Sequence, residues 1–153
     1  MQKAAAHADA RVLASRVASL LKSSPRYVYP DMKKFLQWCG REKITLAIVS
    51  RGPAFQKKKI AASGIARSFK KIVVIPAGPK SGAIRAIMRA HPRERAMFVD
   101  DTAEVVDEVK RSLPHIMAVQ MTRRRRIDKS ALADARVRDF SGLGRIVEKI
   151  LHA

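Results

Sequence analysis

"RERAMFVDDTAEVVDEVK", residues 93–110, decides how the rest of the chain is read. An apolar run from Ala96 to Val99 stops on two adjacent carboxylates, Asp100 and Asp101, in a chain whose formal charge is +19. A short apolar run closed off by charge reads as a buried strand, and the periodic stretch Ala103–Ser112 after it reads as a helix. Two like charges side by side repel each other. They make sense either at a helix start, where Asp is favoured, or around a cation.

Working outward, "ITLAIVS" (44–50), "KIVVIP" (71–76) and "IMAVQ" (116–120) repeat the short apolar pattern and read as three more strands. Between them lie helical patterns. Residues 9–22 place Val12, Leu13, Val17, Leu20 and Leu21 close to one face. Pro30 sits at a first helical position, followed by Met32, Phe35, Leu36 and Cys39 at helical spacing, with Gly40 as the stop. Further helices are expected over 53–63, 81–91 and 103–112, and a last one capped by Ser141 that aligns Leu143, Ile146, Val147, Ile150 and Leu151. Residues 122–139 are polar and basic, with a weak helical signal around 130–137. Strands alternating with helices predict a parallel α/β sheet. The expected organisation is a single domain: an N-terminal helix and linker (1–28), a core (29–121), a basic connection (122–140) and a terminal helix (141–153).

A chain of 153 residues with 47% hydrophobic residues can bury a real core. No apolar run approaches the roughly 20 residues that span a bilayer, so no membrane role is expected. Residues 1–24 lack the apolar core of a signal peptide, although their Ala- and Arg-rich composition leaves a transit peptide open. The single Cys39 excludes an internal disulfide and fits a reducing cytosol, so the expected compartment is cytoplasmic. The 32 Lys and Arg against 13 Asp and Glu would attract polyanions or phosphorylated substrates. Clusters at Lys57–Lys59, Lys70–Lys71 and Arg123–Arg126 read equally as solvated surface or as nucleic-acid contacts. Aromatic residues are only 5% and none interleaves with the basic runs, so base-stacking platforms are not indicated. The four histidines lack metal-ligand spacing, and no Gly-rich nucleotide loop occurs.

In open parallel sheets ligands bind beyond the carboxyl ends of the strands. Those ends carry Ser50, Arg51 and Gly52 after the first strand, Lys80 within "PAGPKSG" after the second, and Asp100 and Asp101 after the third. A hydroxyl and a Gly-containing turn can hold phosphate oxygens. A Lys supplies a point charge, and paired carboxylates suit Mg²⁺, which takes one or two carboxylates plus water and phosphate. Each residue also has a plainer use: Ser50 as a turn residue, Lys80 as one lysine among many, and the Asp pair as a helix cap. Glu104, Asp107 and Glu108 on the next helix read as a solvated face.

Taken in order, "IVSRG", "GPKSG" and "FVDD" resemble the second, third and fourth motifs of the haloacid dehalogenase (HAD) superfamily, and "YPDMKKFLQWCGREKITLAIVSRG" resembles that family's approach to its second motif. The resemblance spans about residues 28–121. It implies a three-layer, Rossmann-like parallel sheet with helices on both faces and Mg²⁺-dependent hydrolysis of a phosphorylated small molecule or macromolecule through an aspartyl-phosphate. It also implies that Ser50, with Arg51 and Gly52, binds the phosphoryl group, that Lys80 steadies nucleophile and phosphate, and that Asp100 and Asp101 hold the metal.

The family's first motif, Asp-x-Asp after an apolar strand, is missing from these residues. Asp9 is followed by Arg11 and Asp31 by Lys33 in the second acidic position. That motif would supply the nucleophile and the general acid/base. Its strand would lie at the centre of the sheet, between those ending in Ser50 and Asp100. Without it two strand edges are left open, which implies a start upstream of Met1, a remnant gene, or a gap filled by a strand borrowed within an oligomer or by a re-paired sheet. The alternative reading is a catalytically dead HAD-like module that binds nucleic acid or another polyanion. A receiver domain is disfavoured, because its Asp pair would precede the other site residues.

Overall fold

From β1 to β4 each strand is separated from the next by a helical segment, the usual connection between parallel strands. The computed structural model describes residues 14–123 and 128–153. Strands β1 (Ala47–Arg51) and β2 (Lys71–Ile75) pair in parallel, with Ser50 opposite Val74. Strands β3 (Met97–Asp100), β4 (Met117–Met121) and β5 (Ala135–Val137) form a second parallel sheet in the order β3-β4-β5. Among the described residues no strand joins β1 to β3. The gap falls where the missing first strand is expected.

Helix α1 covers 14–22 within the described residues. The others are α2 (Pro30–Arg41), α3 (Phe55–Ala62), α4 (Ser81–Arg89), α5 (Ala103–Ser112) and α6 (Phe140–Leu151). Side-chain alternation along the strands sorts them into layers. Phe98 and Ala118 pack with Ile84 of α4 and with Val105, Val106 and Val109 of α5. Val119, Met121 and Val137 pack on the other face with Leu143 of α6 and Phe35 of α2. Val106 and Val109 have no exposed surface, and such burial contributes roughly 1.5–3 kcal/mol per side chain. Val49 of β1 leans on the α4–α5 cluster, so side-chain packing links the two sheets. No helix among the described residues is long and apolar enough to cross a membrane.

Several local expectations are corrected. The weak helical signal at 130–137 gives way to β5, where Val137 is buried and Arg136 exposed; three residues are too few for a period-two pattern to stand out. Asp139, not Ser141, caps α6, accepting from the Gly142 N–H at 2.7 Å. Gly40 lies inside α2, and the chain leaves that helix through Lys43, which takes a left-handed φ of 57°. Strand β1 starts at Ala47 and α3 at Phe55, later than the apolar and helical patterns suggest.

Candidate active-site rim

The ends of β1, β2 and β3 meet. Arg51 reaches across from β1 to donate to the Gly78 carbonyl at 3.4 Å. Lys80, immediately before α4, donates from Nζ to Asp100 Oδ2 at 2.6 Å, with the two side chains only 13% and 11% exposed. The other oxygen of Asp100 accepts the Thr102 N–H at 2.9 Å, which turns the chain into α5. The Asp100 carboxylate thus does two things at once, shaping the helix entry and pairing with the lysine. A cleft of about 330 Å³ opens here, walled by Arg51, Pro79, Lys80, Thr102, Val105 and the carboxylates Glu104 and Glu108.

Of the residues expected at the rim, the cleft gathers Arg51 and Lys80, with Asp100 bonded to Lys80 beside it. Ser50 is half-buried at the end of β1 and Asp101 is exposed; neither lines the cleft. Gly52 has a different task from the one expected of a phosphate-holding turn. Its N–H is already donated to the Ile75 carbonyl at 2.9 Å. At φ 145° it occupies a conformation open mainly to glycine, and a Cβ would stand 3.0 Å from Gln56 Cγ. Gly52 turns the loop, leaving the Ser50 hydroxyl and the Arg51 and Lys80 cations as the groups that could hold phosphate.

The acidic turn is braced from behind by a residue that sequence reasoning passed over. Gln120, fully buried at the end of β4, donates to the carbonyls of Asp101 at 3.3 Å and Asp128 at 2.7 Å, and accepts the Ser130 N–H at 2.9 Å. A glutamine closing an otherwise apolar strand was the available signal, since a buried amide must find partners. Asp107, expected on a solvated face, instead accepts from the Ser130 hydroxyl and from the N–H groups of Ala131 and Leu132. The Ser130 hydrogen bond holds its pKa below the usual 3.8, and the two N–H groups and the Arg111 charge outweigh the opposing effect of burial. Glu104 and Glu108, read as part of the same face, line the cleft.

A second carboxylate network joins distant parts of the chain. Asp31 accepts from Arg123 at 2.6 Å and from the Phe140 N–H at 2.9 Å. The Arg123 guanidinium lies 4.0 Å from the centre of the Tyr29 ring. Arg123 is therefore held within the fold rather than standing in a free basic cluster, while Arg124–Arg126 lie outside the described residues.

A Rossmann-like α/β protein whose strand ends gather two cations at a cleft, with a lysine-paired carboxylate beside it, is the class defined by this geometry. The fold is that of the haloacid dehalogenase superfamily. A HAD phosphatase from Thermococcus onnurineus matches over 84% of this chain and 63% of its own, at 24% identity and a TM-score of 0.69. A haloacid dehalogenase-like hydrolase from Burkholderia xenovorans matches over 89% and 66%, at 23% and 0.70. The L-2-haloacid dehalogenase from Xanthobacter autotrophicus with chloropropionic acid covalently bound matches over 78% and 60%, at 18% and 0.63. The chain thus spans between three fifths and two thirds of the length of these structures. No family model matches the sequence, and no curated protein does.

Proposed function

We propose that the rim is the phosphate- and metal-holding part of a HAD-type phosphohydrolase acting on a phosphorylated substrate with Mg²⁺. The observation that carries this reading is the Lys80–Asp100 pair, which brings the second and third strand ends together at 2.6 Å. The residues present fit a hard cation of low protein coordination. Asp101 is exposed and Asp100 adjoins it, and among the described residues no three His, Cys, Asp or Glu side chains converge. A cation here would therefore draw one or two carboxylates and complete its shell with water and phosphate oxygens, as Mg²⁺ does. When bound it would supply charge neutralisation to a phosphoryl group.

The chain's own residues then divide the work. The Arg51 and Lys80 cations attract and orient the phosphate, with the Ser50 hydroxyl as a neutral donor. Lys80 also shields Asp100 from Asp101, allowing two carboxylates to stand together. Gln120 fixes the backbone of Asp101. The attacking carboxylate of an aspartyl-phosphate route is not among these 153 residues, since no Asp-x-Asp occurs anywhere in them. The test is a Mg²⁺ titration followed by thermal unfolding, with inorganic phosphate present. The wild-type melting temperature should rise with Mg²⁺, and Asp101→Ala should remove that rise. A rise that survives in Asp101→Ala would overturn the metal assignment.

A further inference from the structure

A second cleft, of about 420 Å³, lies between β5 and α6. Four cations line it: Arg136 and Arg138 from the strand and its end, and Arg145 and Lys149 one helical turn apart on α6. All four are exposed. One carboxylate, Asp139, shares the lining, and it is taken up by the Gly142 N–H. Arg136 donates to the Ser130 carbonyl. Among the described residues, no carboxylate pairs with Arg138, Arg145 or Lys149. The acidic helix α5 packs on the opposite face of the β3-β4-β5 sheet, so its carboxylates do not offset this cluster.

We propose that this cleft docks the phosphate backbone of a nucleic acid, independently of the chemistry at the rim. Three unpaired cations converge from two elements on an open groove, the arrangement that neutralises successive phosphates of a polymer. Because the cations are exposed, they do not form a closed pocket for one small anion. No aromatic side chain lines the cleft, so bases are not stacked and binding is indifferent to sequence.

The experiment measures the fluorescence anisotropy of a labelled 20-nucleotide single-stranded DNA across a salt series. Each cation–phosphate contact on a single strand contributes about 0.7 to the slope of log affinity against log salt. Replacing Arg138, Arg145 and Lys149 by Ala should therefore flatten the slope by about 2. Between 50 and 200 mM salt the wild type should lose roughly twentyfold more affinity than the variant, from the same per-contact slope. The control replaces Lys57, Lys58 and Lys59 on α3, removing equal charge elsewhere; it should leave most of the binding intact. Equal weakening by both variants, or none by the first, overturns the proposal. So does inorganic tripolyphosphate competing on equal terms with the oligonucleotide. Arg145→Glu alone changes one exposed helix residue; it should also weaken binding, and unchanged affinity overturns the assignment even if the triple variant fails to fold.

Discussion

Replacing Asp31 by Ala would remove one carboxylate that serves two partners far apart in sequence. Its oxygen accepts from Arg123 at 2.6 Å and from the Phe140 N–H at 2.9 Å, while Asp139 separately receives the Gly142 N–H. The first turn of α6 is thus capped by one local and one remote carboxylate. Losing an acceptor for a helix N-terminal N–H costs about 1 kcal/mol. A hydrogen bond to a charged group contributes about 1.5–3 kcal/mol, and side chains 22% and 25% exposed place this one toward the lower end. The expected loss is about 2–3 kcal/mol, a sizeable part of the roughly 5–15 kcal/mol that holds a domain together. Urea unfolding followed by circular dichroism would read it as a lower midpoint at unchanged slope. A double-mutant cycle with Arg123→Met should return a coupling of about 1 kcal/mol. A total loss below about 0.5 kcal/mol, the size of an ordinary surface substitution, would refute the view that Asp31 staples α2 to α6.

Two further outcomes follow from the carboxylates and the thiol. Asp31, Asp107 and Asp134 all titrate below the usual 3.8 in the folded chain. For Asp31 and Asp134 burial pushes upward but is outweighed, by Arg123 and the Phe140 N–H in one case and by Lys110 and the Ala118 N–H in the other. Lowered folded values mean stability that is full above 3.8 and lost as pH falls through them. Asp107→Asn should flatten the part of the acid limb of the urea midpoint that lies below pH 3.8, and a limb parallel to wild type there would contradict this. Burial pushes the Cys39 thiol up to about 11. Iodoacetamide should therefore alkylate it at least about a hundredfold more slowly in the folded than in the urea-unfolded chain, because the thiolate is the reactive form; comparable rates would place the thiol at the surface.

Strands and helices that repeat a pattern over enough residues were legible in the sequence: "AMFVD", "KIVVIP" and the apolar face of α2 each show it. Where the pattern is too short it is silent, as at β5, whose three residues carry one buried side chain. Rim residues were nameable because they follow directly from where strands stop. Their pairings were not. The Lys80–Asp100 contact depends on how two sheets meet, and the Arg123–Asp31 contact closes a separation of 92 residues. No local periodicity encodes either. Gly52 shows the converse: its type was visible in "SRG", but its positive φ and its spent N–H arise from the turn back to Ile75.

Among the described residues no backbone hydrogen bonding joins β1 to β3, so the two sheets need not open together. Neither β1 nor β2 holds a fully buried residue, whereas four of the five residues of β4 are buried. Such unevenness marks the first pair as a separate, weaker cooperative unit whose amides exchange with solvent through a smaller opening than global unfolding. Ser50 and Arg51 ride on that weaker unit, and Asp100 and Asp101 on the stronger one. A ligand gripping both sides would weld the units together, and its binding would register as slowed amide exchange in β1 and β2.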